Sequence, residues 1–406
     1  MRILVQKFGG SSLTTVEKRR RAIHHIKVAL EKGFSVCVVV SAMGRKGDPY
    51  ATDTLLQLVL ENGNRLQPRD VDLLLSCGEI ISASTMASML NSDEIPAIVL
   101  TGRQAGIVTN DDFNDAQIQR IYPERILAEL ERGKVVVVTG FQGSTENGEI
   151  TTLGRGGSDT SATALGVALK AEIIDIFTDV EGIMTADPQI VEEARSLSVL
   201  TYMEVCNMAY QGAKVIHPRS VEVAAQAGIP LRIRSTFSDD EGTLVTGLAD
   251  AKGKEGRVQD RVITGIAHVP NLTQIKVMAK EGQYDVQVDV FKAMAAHRIS
   301  VDFINVNPRG VAYTVRKEQD QQAIEIIQNL GYEVLATPHC AKVSCVGAGM
   351  AGVPGVMAHI VEALTGEDIR ILQSADSHTT IWVLVYEKDM IRAVKALHKK
   401  FQLHKG

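Results

Sequence analysis

The 406-residue sequence predicts an α/β protein: a three-layer domain on a mainly parallel central sheet, then two small units of βαββαβ plan. Three observations carry this. Short, wholly apolar segments alternate with amphipathic ones through the first 235 residues. The hydrophobic content of 45% is aliphatic, with only 4% aromatics and 34 glycines, which suits α/β layers better than an all-β sandwich. Beyond a polar connector the chain repeats itself at a spacing of 70 residues, Ile299 falling on Ile369.

Taken in order, Ile3 to Phe8 reads as a buried strand that Gly9-Gly10-Ser11-Ser12 breaks. Thr15 is placed to cap a helix whose apolar face carries Ala22, Ile23, Ile26, Ala29 and Leu30, and Gly33 ends it. Val36 to Val40 is apolar at every position, as a central parallel strand buried on both faces requires. Further strands are predicted at Ala97 to Leu100, Val135 to Gly140, Ile173 to Phe177 and Leu231 to Arg234. Helices are predicted at Ser158 to Leu169 and Ser220 to Gly228. Polar, glycine-bearing runs around Ser238 to Gly242 and Ala251 to Gly256 then mark a connector. The first domain is therefore set at residues 1–240 and the connector at 241–261.

In the repeat, Val311-Ala312-Tyr313-Thr314-Val315 falls on Ile381-Trp382-Val383-Leu384-Val385, and Ala323 to Ile327 on Ala393 to Leu397, without a gap. Each copy reads strand, helix, strand, strand, helix. A βαββαβ unit needs a fourth strand, and the first copy has one at Tyr332 to Ala336. The second copy ends in its helix, with only Phe401 to Gly406 beyond, while a spare strand, Val262 to Val269, precedes the first copy. The expectation is that the spare strand (262–271) completes the second unit (340–406), so that the first (272–339) is inserted within it. The alternative is a three-stranded second unit.

A net charge of −5 and a pI near 6.1 give no electrostatic footprint for nucleic acid. The basic cluster Lys18 to Arg21 reads as a solvated helix face. Five cysteines without a CxxC pair argue against a zinc site or a disulfide framework and for a reducing cytosol. A strand at Ile3-Leu4-Val5 leaves no room for a signal peptide, and no apolar run approaches a membrane span. A soluble, cytoplasmic protein is expected.

Chemistry is carried by loops that follow strands. Lys7-Phe8-Gly9-Gly10-Ser11 sets a cation at a strand end before a glycine turn, where backbone N–H groups can approach phosphate. Ser41-Ala42-Met43-Gly44 repeats the theme. Gly154-Arg155-Gly156-Gly157-Ser158-Asp159 precedes a helix, with Arg155 as a carboxylate clamp and Ser158 or Asp159 as the cap. Thr178 to Pro188 is a long turn, and Gly212-Ala213-Lys214-Val215-Ile216-His217-Pro218 a further one. Each alone also describes an ordinary turn. A Walker A loop is absent from the sequence, and Gly347 to Gly352, though of GxGxxG form, is absorbed by the repeat.

Together, KFGGSS, SAMG, SCGE, GRGGSD, TDVEGIMTADP and GAKVIHP resemble the amino-acid kinase family and, within it, the aspartokinases. The likeness spans essentially the whole chain, with the repeat similar to that family's pair of ferredoxin-like ACT regulatory domains. It implies ATP-dependent phosphorylation of the β-carboxylate of L-aspartate to 4-phospho-L-aspartate, the entry to diaminopimelate, lysine, threonine and methionine. A carboxylate is already ionised at neutral pH, so such a site needs positioning and charge neutralisation rather than a general base. The resemblance implies that Lys7 and Lys214 contact ATP phosphates and stabilise the transition state, with Asp159 orienting both lysines. Phe8, Gly9, Gly10, Ser41, Thr178, Asp179, Met184, Asp187 and Pro188 would complete the ATP site. Thr52, Glu79, Arg155, Gly156, Gly157 and Ser158 would bind aspartate, Glu79 meeting its amine and Arg155 its α-carboxylate. Magnesium would arrive with ATP, held mainly by phosphates and water. Met184 and Gln189 stand where relatives often carry Tyr and Arg.

For regulation, the resemblance implies an effector amino acid at Val286, Ser300, Val301, Asp302, Asn305 and Asn307, and a homodimer or higher oligomer through the ACT units. Lysine, threonine, both together or diaminopimelate are open. The stretch GRKGDPYATDT is most similar to the Bacillus-type enzymes, which favours diaminopimelate. Two other readings are disfavoured: a kinase for glutamate, acetylglutamate or carbamate would lack the paired ACT units, and a non-catalytic amino-acid sensor would have lost Lys7, Asp159 or Lys214, all of which are present.

Overall fold

The structure, a computed structural model, describes residues 1–406 apart from Asn62, Asn64, Arg65, Lys214, 248–261, 280–284, Ala351 and Gly406. The chain divides into two compact units. The first gathers the described residues of 1–183, 196–209 and 214–258, and the second those of 184–195, 210–213 and 259–406.

In the first unit the central sheet is built from β1 (Ile3–Phe8), β2 (Ser35–Val40), β3 (Ala97–Leu100), β6 (Val135–Thr139), β9 (Ile173–Thr178), β10 (Val199–Thr201), β11 (Leu231–Ser235) and β12 (Thr243–Thr246). The order is β10-β12-β11-β9-β1-β2-β6-β3, and every neighbouring pair is parallel except β11 with β12. A parallel sheet must be covered on both faces, and Val36 to Val40 are all 0% exposed, which is why this stretch has no polar residue. The polar 142–152 region shows no apolar run that would mark a strand. It supplies half of a small separate sheet of β4 (Ile107–Thr109), β5 (Ile118–Ile121), β7 (Gln142–Ser144) and β8 (Ile150–Thr152).

Helix α1 (Val16–Glu31) starts where expected, the Thr15 hydroxyl accepting from the Lys18 N–H at 3.3 Å. Its Ala22, Ile23, Ile26 and Ala29 pack on Leu4, Phe8, Val36 and Val38 together with Met86 and Leu90 of α3 (Pro68–Ser92). Each buried Ile side chain there contributes about 2–3 kcal/mol. α2 (Thr52–Leu60) lies against α3, and α4 (Glu124–Glu131) against β2 and β6. α5 (Gly157–Ala168) packs on β1, β2 and β9 with α7 (Pro218–Ala227) against it, and α6 (Tyr202–Tyr210) follows β10. One expectation is corrected: by length and composition α3 is long and apolar enough to cross a membrane. Half of its most apolar stretch is buried, and its inner face carries Asp72 and Glu79, so here it serves as a core helix on β3 and β6. A second correction concerns the connector: Thr243–Thr246, placed within 241–261, joins the sheet as β12. Most of that connector lies outside the described residues.

The second unit holds an antiparallel sheet ordered β14-β15-β13-β16-β18-β17. Its strands are β13 (Gly265–Met278), β14 (Asp302–Asn307), β15 (Gly310–Arg316), β16 (Val334–Val346), β17 (Gln373–Asp376) and β18 (Thr380–Tyr386). Its helices are α8 (Val286–Ala296), α9 (Asp320–Asn329), α10 (Val356–Thr365) and α11 (Met390–Lys400). β13 and β16 are each one long strand, not the short strands read from the sequence. Residues 272–278 of β13 pair with β15, whereas 265–269 pair with 342–346 of β16. At Pro270-Asn271 and Pro338-His339 the ladder is interrupted by bulges, with Asn271 at φ +58° and His339 at φ +56°, and it resumes past them. Two cores result: Ile275, Val290, Tyr313 and Ile327 fill one, and Ile266, Val343, Ile360, Val385 and Leu397 the other.

Because Ile266 and Ile275 sit on one strand but in different cores, their substitutions separate the halves. Burying an unpaired carboxylate costs roughly 3 kcal/mol or more. Hydrogen exchange should show Ile266→Asp stripping protection from β18 and α11 first, and Ile275→Asp from β14 and β15 first.

Candidate active site

The carboxyl ends of β9, β1 and β2 lie side by side, so their following loops converge at one edge of the sheet. Lys7, next to last in β1, aims its Nζ at Asp159 Oδ1 at 2.6 Å, both side chains mostly buried. Asp159 stands in the first turn of α5, where a negative charge also favours the helix N-terminus. Its other oxygen accepts from the His217 N–H at 3.4 Å, and its carbonyl accepts from Ser220 Oγ at 3.3 Å. Neither Ser158 nor Asp159 caps α5. The N-cap is Gly156, in the left-handed region at φ +70°. A Cβ there would lie 2.2 Å from Cγ of His217, so only glycine admits that ring.

The glycine loop after β1 makes a single 3-10 turn, Gly10–Ser12. It packs backbone to backbone on the loop after β2, Gly44 N–H donating to the Gly10 carbonyl at 3.0 Å. A Cβ on Gly10 would be 2.4 Å from the Ala42 carbonyl oxygen, which explains the second glycine of the KFGG stretch. Ser41 N–H donates to the Phe8 carbonyl at 3.1 Å. The second loop is closed by Arg45 N–H donating to Asp48 Oδ2 at 2.8 Å, and the Arg45 guanidinium forms an ion pair with Asp179. The Thr178 hydroxyl donates to Asp179 Oδ1 at 3.3 Å.

Glu79 is the most unusual group. It is 1% exposed on the inner face of α3, and Oε1 accepts from the Ala42 N–H at 2.9 Å. Oε2 is buried with no hydrogen-bond partner. Burial pushes its pKa up to about 8, and the bond from Ala42 only partly opposes this. Thr52, first residue of α2, is half-buried, and Arg155 is exposed ahead of α5. Among the described residues no group of three or more His, Cys, Asp and Glu side chains is placed to hold a metal ion.

The structure thus links Glu79, Ala42, Gly10, Gly9, Lys7 and Asp159 into one contiguous group, with Ser41, Thr178 and Asp179 at its border. Lys214 lies outside the described residues. Met184, Asp187 and Pro188 fold with the second unit. There, Ser300, Asp302, Asn305 and Asn307 are exposed on or before the edge strand β14, and Val301 is half-buried. The Asp302 carboxylate is engaged by the Lys342 ammonium and accepts from the Phe303 N–H at 2.7 Å. The Val286 side chain is spent on the core with Val290 and Tyr313, so it is not available to a ligand. Ala42 and His217, inside the SAMG and GAKVIHP stretches, and Arg45 and Asp48, inside GRKGDPYATDT, also shape the site.

Residues 2–235 match the Amino acid kinase family, and residues 335–399 match the ACT domain. The chain is 57% identical over 406 residues to Aspartokinase 1 of Bacillus subtilis (strain 168), covering 100% of both. It is 39% identical over 409 residues to an aspartokinase of Geobacillus stearothermophilus, covering 99% of this chain and 98% of that one. Among solved structures it is similar to E. coli aspartokinase III in complex with aspartate and ADP, with a TM-score of 0.79 at 26% identity. That match covers 98% of this chain and 99% of the other.

Glu79 and His25 should give the first unit opposite pH signatures. Glu79 has its pKa raised, so its folded state keeps a proton that the unfolded chain has lost. Its contribution is complete below about 4.5 and disappears as pH rises to about 8. His25, buried on α1 with Nε2 donating to the Thr236 carbonyl at 3.0 Å, is lowered to about 4 by burial. Its contribution is lost as pH falls from 6.5 to 4. In urea titrations, Glu79→Gln should gain on the parent by roughly 1.4 kcal/mol per pH unit between pH 5 and 8. A pH-independent difference would contradict a buried, unpaired Glu79.

Proposed function

The chain belongs to the aspartokinase family, and from that premise we propose that it transfers the γ-phosphoryl group of ATP to the β-carboxylate of L-aspartate, under feedback by an end-product amino acid. It is a kinase with ACT-type regulation. The observation that carries the substrate assignment is Glu79: one oxygen fixed by Ala42, the other buried without a partner, in contact through Ala42 with the glycine loop. An α-ammonium group supplies the missing charge, and Arg155 is exposed nearby in sequence to the Lys7–Asp159 pair, free to take the α-carboxylate. Thr52, Ser158 and the Gly156-Gly157 backbone complete aspartate binding in this reading.

The β-carboxylate attacks as it stands, being ionised, so no proton is moved. Lys7 draws negative charge from the transferred phosphoryl group, and Asp159 keeps its ammonium in place. Lys214 is assigned the same role on its motif alone. Backbone N–H groups of the Gly9-Gly10 loop and the Ser41 side chain hold phosphate, with Thr178, Asp179, Met184, Asp187 and Pro188 on the rest of the nucleotide; the Phe8 side chain, expected there from the sequence, is 0% exposed and stacked on Phe177. Magnesium would arrive with ATP, held mainly by phosphates and water, and would supply charge neutralisation there. The product is 4-phospho-L-aspartate, the first intermediate toward diaminopimelate, lysine, threonine and methionine. Diaminopimelate, lysine or threonine is the effector, bound at Ser300 to Asn307. The edge strand β14, which exposes Ile304 (49%) and Val306 (51%), supports assembly as a homodimer through this unit. The enzyme is placed in the cytoplasm.

Hydroxylamine trapping with ATP tests the reading: aspartyl hydroxamate should form, and its absence with pure protein would sink the assignment. Lys7→Met and Asp159→Asn should each lower kcat by about 100-fold or more. Glu79→Gln should raise KM for aspartate about 10-fold or more with KM for ATP little changed. Since Glu79 must be ionised to meet an ammonium, kcat/KM for aspartate should climb from pH 6 and level near 8. The same assay with lysine, threonine and diaminopimelate, singly and paired, identifies the effector.

A further inference from the structure

Residues 184–195 leave the first unit after Ile183 and return to it at Ser196. The neck is closed by Leu197 N–H donating to the Ile183 carbonyl at 2.8 Å. Between these points the chain belongs to the core of the second unit. Ala186 and Val191, 4% and 3% exposed, share that core with Ile263, Val343, Leu397 and Leu403. Ile266 N–H of β13 donates to the Thr185 carbonyl at 2.8 Å.

Thr185 is 1% exposed, and every polar atom it has is used. Its N–H donates to the Arg195 carbonyl at 2.9 Å, and its hydroxyl accepts from the Arg195 N–H at 3.0 Å. The same hydroxyl lies 3.0 Å from Nε2 of His398, itself 2% exposed on α11. A backbone N–H can only donate, so the hydroxyl accepts from Arg195 and has its own proton left for His398. His398 is therefore the acceptor, neutral and protonated on Nδ1. Burial holds its pKa below the ordinary histidine range, with His404 and Arg195 adding to that and Glu193 opposing it. The Arg195 guanidinium reaches onward to the carbonyls of Leu403 (3.3 Å) and Lys405 (2.7 Å). A turn that carries Met184, Asp187 and Pro188 is thus folded around one threonine–histidine hydrogen bond inside a sensor core.

We propose that Thr185 and His398 are positioning residues for the nucleotide: their buried hydrogen bond fixes the Met184–Pro188 turn in its ATP-binding shape and ties ATP affinity to the packing of α11. This rests on the assignment of Met184, Asp187 and Pro188 to ATP. A change in the second ACT-type unit that shifts α11 then alters ATP affinity without touching aspartate, and by reciprocity nucleotide binding steadies α11.

Two substitutions break the bond, Thr185→Val and His398→Leu, and two conserve it, Thr185→Ser and His398→Gln, whose amide oxygen can accept where Nε2 did. Expected for the breaking pair is a rise of about 10-fold in KM for ATP, with kcat at saturating ATP within about twofold and KM for aspartate unchanged. The conserving pair should restore most of the ATP affinity. An unchanged KM for ATP in folded Thr185→Val and His398→Leu, or an equal loss of kcat across all four variants, overturns the proposal. Should the breaking variants not fold, amide exchange of residues 390–400 in the parent decides. Slowing by MgADP supports the coupling, and indifference to MgADP overturns it. Because that readout needs no aspartate, it also stands apart from the hydroxamate assay, whose failure would count against the proposed reaction instead.

Discussion

The ion pair between Lys7 and Asp159 sets the terms for the catalytic half of the chain. A lysine near the end of a central strand faces the opening turn of a helix packed on that strand, and neither group can move without the other. Deep pairing of this kind adds little net stability, but removing one partner costs about 3–5 kcal/mol because the other is left uncompensated. Asp159 is the third residue of α5, and the helix is entered through a left-handed glycine, Gly156, whose open side receives the ring of His217. The N–H of His217 then returns to the other oxygen of Asp159. The Asp159 carboxylate thus joins Lys7 of KFGGSS to His217 of GAKVIHP, two stretches far apart in sequence.

Glu79 shows the opposite economy. Nothing in the fold needs a carboxyl group there, and a glutamine would fill the space with less penalty at neutral pH. The group sits in the core with one oxygen unanswered, a local violation of the rule that buried polar atoms find partners, and such violations gather where a ligand completes the structure. Its shifted pKa belongs to the protein without substrate, and an incoming ammonium would reverse it.

Much of this was legible in the sequence because periodicity and punctuation are local. The apolar runs at Val36 to Val40 and Ile173 to Phe177 declared a buried parallel sheet, and Thr15 and Gly33 framed α1. What escaped was non-local. The strands of the small sheet are three or four residues long and polar, so only pairing reveals them. The expected strands stopped at Val269 and Ala336, short of Pro270 and Pro338, yet a bulge dispenses with the N–H that proline lacks and the strand continues. The turn at Met184 to Pro188 was legible as a loop and as part of a family motif. That it folds into the core of the sensor half was not, since its partners, Ile266 and His398, lie far along the chain. Val286, an effector contact on the resemblance alone, packs in the core with Tyr313.

The shared strands β13 and β16 also bear on how the chain is made. Residues 265–269 emerge from the ribosome early, but their partners at 342–346 and the helix that covers them, α11, come much later. The intervening βαββαβ half needs only its own residues, so it can close while synthesis continues. Throughout that interval the front of β13 is an apolar strand with an open edge, carrying Ile266 and Val269 with no sheet to receive them. Two nascent copies on one message would each present the same unpaired edge, and the polar Thr264 and His268 interleaved among those apolar positions then act as the guard against premature pairing.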